Sequence, residues 1–391
     1  MSDKKDNKTK ATTLLAHLGS EPYRYDGVVN PPVHRASTFV IHTYEDFLNC
    51  FEAQYRYGRE STPTSTAFEN AIAALDNAAG AIVTSSGLAA INGAIMSFVS
   101  SGDHILLPDN FYGFSRDFCA RTLSRFGVEV EYYDPMVGAD IEKQVKDNTK
   151  ILYLESPGSM TYEVQDLGAF VDVAKKYDLI SIIDNSWGTP LHLQPIELGI
   201  DISIMSATKY ISGHSDMMLG VISCNERTLD TVRDTIRQLG NCAGSEELYL
   251  GLRGLRTLDV RMDRHRASGL ALAEWLSTHD AVKLVLHPAL PECPGHENWK
   301  KYFMDCSGVF AVVLKETDPE KVSNMLDNME LFKMGFSWGG YESLLFPEQV
   351  NEARITKPWE GDGFLLRIHP GLEDLDDLKQ DLENGLQRLS A

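Results

Sequence analysis

Short apolar runs recur through the first part of the chain, each closing on small or polar residues and each followed by a stretch of helical spacing. Residues 81–83, 105–107, 128–133, 151–155, 180–183 and 202–205 read as strands. Residues 65–76, 115–125, 139–147 and 166–177 carry amphipathic helical spacing. Apolar strands alternating with such helices predict a large, mostly parallel sheet covered on both faces. From Ser245 the pattern shifts to one long helix, with Leu248, Leu252, Leu255, Leu258 and Met262 as the packed stripe and Arg253, Arg256, Arg261 and Arg264 as the solvated face. Beyond it, 307–315, 331–336 and 364–369 read as strands of a smaller α/β unit, closed by a helix over about 375–389. Residues 11–60 have no sustained period and contain Pro22, Pro31 and Pro32, the marks of an extended arm, and residues 1–10 form a polar tail. The expected organisation is therefore an arm (1–60), an α/β domain (61–245) and a C-terminal α/β domain (246–391).

Chemistry gathers where strands end. Strand 202–205 dissolves into Ser206-Ala207-Thr208-Lys209-Tyr210-Ile211-Ser212-Gly213, delivering one amine to the edge where parallel sheets bind ligands. A desolvated lysine can form a Schiff base with an aldehyde, and Ser206 and Thr208 offer hydroxyls suited to a phosphate. An aldehyde with a phosphate suggests pyridoxal phosphate. Asp184 ends the preceding strand, as a helix cap or as the carboxylate that keeps a pyridine nitrogen protonated. Thr84-Ser85-Ser86-Gly87-Leu88 opens an alanine-rich helix, a seat for an anion on free backbone amides, although capped helices of this kind are common. Tyr112 stands at another strand exit. Arg367 interrupts an apolar strand and wants a planar anion, either a protein carboxylate or the carboxylate of a ligand.

Charge and composition narrow the class. A formal net charge of −20 disfavours nucleic acid and anionic membranes as partners, since both need a basic surface. Neither GxGxxG nor a Walker-type loop is present. Six cysteines without CxxC pairs read as free thiols, and no apolar run reaches membrane-spanning length, so a reducing cytoplasm is expected. His287, Cys293 and His296 have loose metal-like spacing within a proline-rich loop and lack a fourth ligand, so no metal is expected.

Together, Tyr57-x-Arg59 with Pro63-Thr64, Ser86-Gly87-Leu88, Tyr112, Asp184, Ser206-x-Thr208-Lys209, Ser337-x-Gly339-Gly340 and Arg367 resemble the Cys/Met-metabolism family of pyridoxal-phosphate enzymes, from residue 11 to 391. Glu155-Ser156-Pro157-Gly158-Ser159, Gly213-His214-Ser215-Asp216 and Ser337-Trp338-Gly339-Gly340-Tyr341-Glu342-Ser343 look most like its bacterial cystathionine β-lyases. The resemblance implies a fold type I PLP-dependent transferase-like α/β architecture. It implies that Lys209 holds pyridoxal 5'-phosphate, that Asp184 pairs with its ring nitrogen, and that Ser206, Thr208 and the Gly87 and Leu88 amides bind its phosphate. Tyr57 and Arg59 would reach the phosphate of a neighbouring subunit, and Tyr112 would stack on the ring and share in proton transfer with Lys209. Ser337 and Arg367 would hold a substrate carboxylate, with Trp338 and Tyr341 shaping the pocket. The implied activity is β-elimination of cystathionine by a homotetramer. Other sulfur amino-acid lyases on the same scaffold, γ-replacement, and a non-catalytic cofactor-binding protein are the alternatives.

Overall fold

The computed structural model describes residues 9–350, 354–359 and 361–390. Seven strands form the large sheet: β1 (Gly80–Thr84), β2 (His104–Pro108), β3 (Glu129–Tyr133), β4 (Thr149–Glu155), β5 (Ile180–Asp184), β6 (Ile202–Ser206) and β7 (Gly220–Cys224). Their order is β1-β7-β6-β5-β4-β2-β3. β7 runs antiparallel to both its neighbours, and the pairings from β6 to β3 are parallel, so β2, β4, β5 and β6 end along one edge.

Alternation along each strand sorts the core. Ile82, Ile204 and Ile222 pack on one face with Ala90, Ile91 and Ala94 of the helix Gly87–Met96. Their neighbours Val83, Met205 and Val221 pack on the other with Phe68 and Ile72 of the helix Pro63–Leu75 and with Leu15 of the arm helix Ala11–His17. Burying one such side chain is worth about 1.5–3 kcal/mol, so Leu15, with Leu14 and Leu18 packed beside it, anchors the start of the arm. The rest of the arm makes one isolated bridge, Thr38 to Tyr57, and leaves Val40, Tyr44, Leu48 and Phe51 exposed.

A second, antiparallel sheet has the order β10-β11-β9-β8, from β8 (Val282–Leu286), β9 (Phe310–Leu314), β10 (Leu344–Glu348) and β11 (Leu365–His369). The helices Leu258–Ser277, Pro319–Asp327 and Leu375–Gln387 supply its core.

Four local expectations are corrected. Residues 331–336 form no strand; only Lys333 bridges, to Leu344, and the strand lies later, at β10. Pro347 masked it, which an edge strand tolerates because its unpaired side needs no N–H. The long helix from Ser245 is two, Ser245–Leu255 and Leu258–Ser277. Arg261 is not solvated: it is buried and donates to the carbonyls of Gly254, Tyr210 and Ile211, capturing carbonyls at the break. Residues 138–144 form a 3₁₀ segment in place of an α-helix. β7 was missed because a five-residue apolar run beginning at glycine gives little periodicity to read.

Candidate active site

β6 ends at Ser206 and the chain turns back at once: the Lys209 N–H donates to the Ser206 carbonyl (3.0 Å), and the Gly213 N–H to the Lys209 carbonyl (2.8 Å). Arg261 fastens this turn from beneath through Tyr210 and Ile211. Held there, Lys209 donates from Nζ to Ser337 Oγ (2.7 Å) and lies 5.3 Å from the Trp338 ring centroid. Burial pulls its ammonium down to about 8; the Arg367 charge acts the same way, and Asp184 opposes them.

Asp184 closes β5 opposite Ile204 of β6, one strand from the lysine. Its Oδ1 accepts the Ser186 N–H (2.8 Å), while Ser186 Oγ accepts the Ser206 N–H (2.7 Å), tying the two strand ends together. Burial raises the Asp184 carboxyl, and Ser186 and Lys209 pull it partly back. On Asp184's other side stands Glu155, the last residue of β4. Glu155 Oε2 accepts the Tyr112 N–H (2.9 Å) and so fixes the backbone beyond β2. The Tyr112 ring is 38% exposed, and burial, Glu155 and Asp184 raise its hydroxyl.

The amides of Gly87 and Leu88 open the helix Gly87–Met96 with no intrahelical acceptor. A side chain at Gly87 would come within 2.6 Å of Ser206 Cβ, so the helix start and the β6 end share one recess. Ser206 therefore lies beside the amides, whereas the Thr208 hydroxyl donates to the Leu219 carbonyl (3.2 Å) and accepts its N–H (2.9 Å). A half-buried amine, a half-buried carboxylate on the neighbouring strand and an amide-lined recess suit an aldehyde-bearing aromatic phosphate, so the residues present fit pyridoxal phosphate.

Arg367 meets a protein carboxylate, Glu348, at 2.9 Å and lies 5.2 Å over the Phe346 ring. Its charge is nonetheless felt at Lys209 and Tyr112, so it borders the same cleft. Trp338 packs on Tyr210 (5.2 Å), and Tyr341 is 56% exposed nearby. Gly339 has φ +87°, and its backbone lies so close to Lys209 and Tyr210 that a Cβ would sit 2.9 Å from both.

Tyr57 and Arg59 are not brought to Lys209 within the chain. They line a separate cavity of about 290 Å³ with Arg233, Arg237 and Asn241, and Arg59 donates to the Arg237 carbonyl (3.0 Å). His287, Cys293 and His296 each bond to a nearby backbone group. His104, Glu129 and Glu131 converge at the sheet edge, where the Lys146 ammonium already bridges both glutamates.

Sequence reasoning missed four supporting residues. Glu155 served only as part of a motif. Arg261 and His265 fall four apart, on one buried face of the helix Leu258–Ser277, a spacing that could have exposed them. His369, two residues after Arg367, receives the Gly339 N–H on Nε2 (3.0 Å) and supports the turn against Lys209.

A profile of the family described as Cys/Met metabolism PLP-dependent enzyme matches residues 12–387. The chain is 41% identical over 390 residues to the cystathionine beta-lyase MetC of Escherichia coli, covering 97% of this chain and 99% of that one. It is 37% identical over 395 residues to an L-alanine/L-glutamate racemase of Wolbachia pipientis, covering 97% and 98%. A crystal structure of metB from Corynebacterium glutamicum matches with a TM-score of 0.91 at 30% identity, over 98% of this chain and 99% of that one.

Proposed function

Because the chain belongs to the Cys/Met-metabolism family of PLP-dependent enzymes, we propose that it is a carbon–sulfur lyase that cleaves L-cystathionine to homocysteine, pyruvate and ammonia. The observation that carries this reading is the half-buried Lys209–Asp184 pair at adjacent strand ends, beside Ser337 and Trp338. The name of the Escherichia relative supports β-cleavage of cystathionine in particular.

Lys209 would carry pyridoxal phosphate, with Asp184 at the ring nitrogen. Ser206 and the Gly87 and Leu88 amides would take the phosphate, joined by Thr208 once its proton turns from the Leu219 carbonyl. Bound there, the cofactor supplies an electron sink for the charge that develops at Cα. Lys209, neutral above about 8, removes the Cα proton. Tyr112 would cover the cofactor ring, and it or Lys209 would return a proton to the departing sulfur. Arg367 and Ser337 hold the α-carboxylate, which requires the guanidinium to share itself between substrate and Glu348. Trp338 and Tyr341 line the side-chain pocket.

Tyr57 and Arg59 would serve the phosphate of a neighbouring subunit, which accounts for their distance from Lys209 and for the exposed apolar arm. A homotetramer is the assembly we infer, with the chain divided into an arm (1–60), a cofactor domain (61–245) and a C-terminal domain (246–391). All six cysteines are free and, among the described residues, no helix is long and apolar enough to cross a membrane, which agrees with a cytoplasmic site of action.

The racemase of Wolbachia supplies a second reading, since racemisation also begins with removal of the Cα proton. Purified protein loaded with pyridoxal phosphate should release pyruvate, and no 2-oxobutyrate, from L-cystathionine. Racemisation of L-alanine without pyruvate from cystathionine would overturn the lyase reading in favour of the second.

A further inference from the structure

Glu155 and Asp184 are directly paired residues at the ends of the parallel strands β4 and β5. Paired residues on neighbouring strands project from the same face of a sheet, with the strands about 4.8 Å apart. Glu155 is buried and Asp184 half-buried, and among the described residues no ion pair within 4.0 Å involves either carboxyl. Two carboxylates so close, one of them buried, resist ionising together. The surroundings decide which keeps the charge. Asp184 has the Ser186 N–H and feels the nearby Lys209 ammonium; Glu155 accepts the Tyr112 N–H and has no cation.

We propose that Glu155 is a positioning residue that works as a neutral carboxylic acid, holding the Tyr112 backbone over the cleft while the single negative charge of the carboxyl pair stays on Asp184. The proposal deepens the reading above and rests on Lys209 and Asp184 forming the cofactor site. Burial first, and the Asp184 charge second, push the Glu155 carboxyl well above the usual carboxylate range. The groups that face it are Asp184, the Tyr112, Tyr133 and Tyr153 hydroxyls, and Gln165, whose Oε1 accepts the Glu155 N–H (3.1 Å). An ionised Glu155 would raise all three phenols and make Tyr112 a weaker proton donor to the leaving sulfur. Neutrality at this position therefore serves two ends: Asp184 can pair with a protonated ring nitrogen, and the Tyr112 hydroxyl is raised no further than burial and Asp184 raise it.

Infrared spectroscopy reads the proton directly. At pH 8 the wild-type protein, with or without pyridoxal phosphate, should show the C=O stretch of a protonated carboxylic acid, and Glu155→Gln should lack it. Glu155→Gln, neutral and nearly isosteric, should keep kcat within about threefold, whereas Glu155→Leu, which cannot accept the Tyr112 N–H, should lose about tenfold or more. Absence of the acid band from the wild type, or a loss beyond about tenfold in a folded Glu155→Gln, would overturn the proposal. Should Glu155→Gln not fold, Asp184→Asn decides: with the neighbouring charge gone, the acid band should titrate at lower pH, and an unmoved titration refutes the pairing. Because the band is read in apoprotein, it stands apart from the parent reading, which fails separately if Lys209→Ala leaves the cofactor's bound absorbance unchanged.

Discussion

Lys209 is an amine in a setting that disfavours its own charge. Burial and the Arg367 guanidinium lower it to about 8, against an ordinary value of 10.5. A depressed base is neutral over more of the working pH range, and the neutral amine is the form that attacks an aldehyde. The rate at which apoprotein captures pyridoxal phosphate should therefore rise with pH through about 8, followed by stopped-flow absorbance. Arg367→Met removes a repelling charge, so the midpoint should move upward; an unmoved midpoint would mean that Arg367 does not act on Lys209. At this scale the sequence was legible for identities and mute on partners. Arg367 had two candidate anions in sequence, and only the fold supplies Glu348 across the β10–β11 pair.

Strands and helices carry the site, and their packing sets its pH response. Asp76 caps the helix Pro63–Leu75, fully buried near Ser203 of β6 and Ser223 of β7. Burial raises its carboxyl from 3.8 to about 7, with the two hydroxyls pulling it partly back. A carboxyl raised on folding contributes stability that is full below its unfolded value and lost as pH rises through its folded one. The chain should thus lose stability between about pH 4 and 7 through this group. Asp76→Asn should flatten that slope and stabilise the protein above pH 7 by about 2–4 kcal/mol, seen as a higher Tm by calorimetry at pH 8 with little change at pH 4. Elements with strong periodicity, such as β5 and β6, were readable because every second residue enters the same core. β7, β10 and the break between Ser245–Leu255 and Leu258–Ser277 were not, because glycine, an edge proline and a captured carbonyl act through neighbours distant in sequence.

Across the whole molecule, the arm is the part least explained by a single chain. Leu15 ties down its start, yet Val40, Tyr44, Leu48 and Phe51 remain exposed, and Tyr57 and Arg59 face a cavity without Lys209. If the arm serves a neighbour, Lys209→Ala and Arg59→Ala subunits are each defective, but a mixed pair contains one site with both residues intact. Co-refolding equal amounts should restore roughly a quarter of wild-type activity. Recovery no greater than the sum of the separate variants would restrict each site to one chain.

The sequence by itself determined the kind of fold and the kind of chemistry. Periods of two and of 3.6 assign each residue to a face, and the polar residues that end apolar strands fall at the ligand-binding edge of a parallel sheet. Lys209, Asp184, Ser206 and Gly87 were identifiable on those grounds and through the resemblance they carry. The tertiary structure decided what meets what: Ser337 on Lys209 across 128 positions, Arg261 beneath the Lys209 turn, and Glu155 beside Asp184. Periodicity encodes a direction without naming the partner found there, and burial, which shifts an acid or an amine, exists only once distant segments have closed over it.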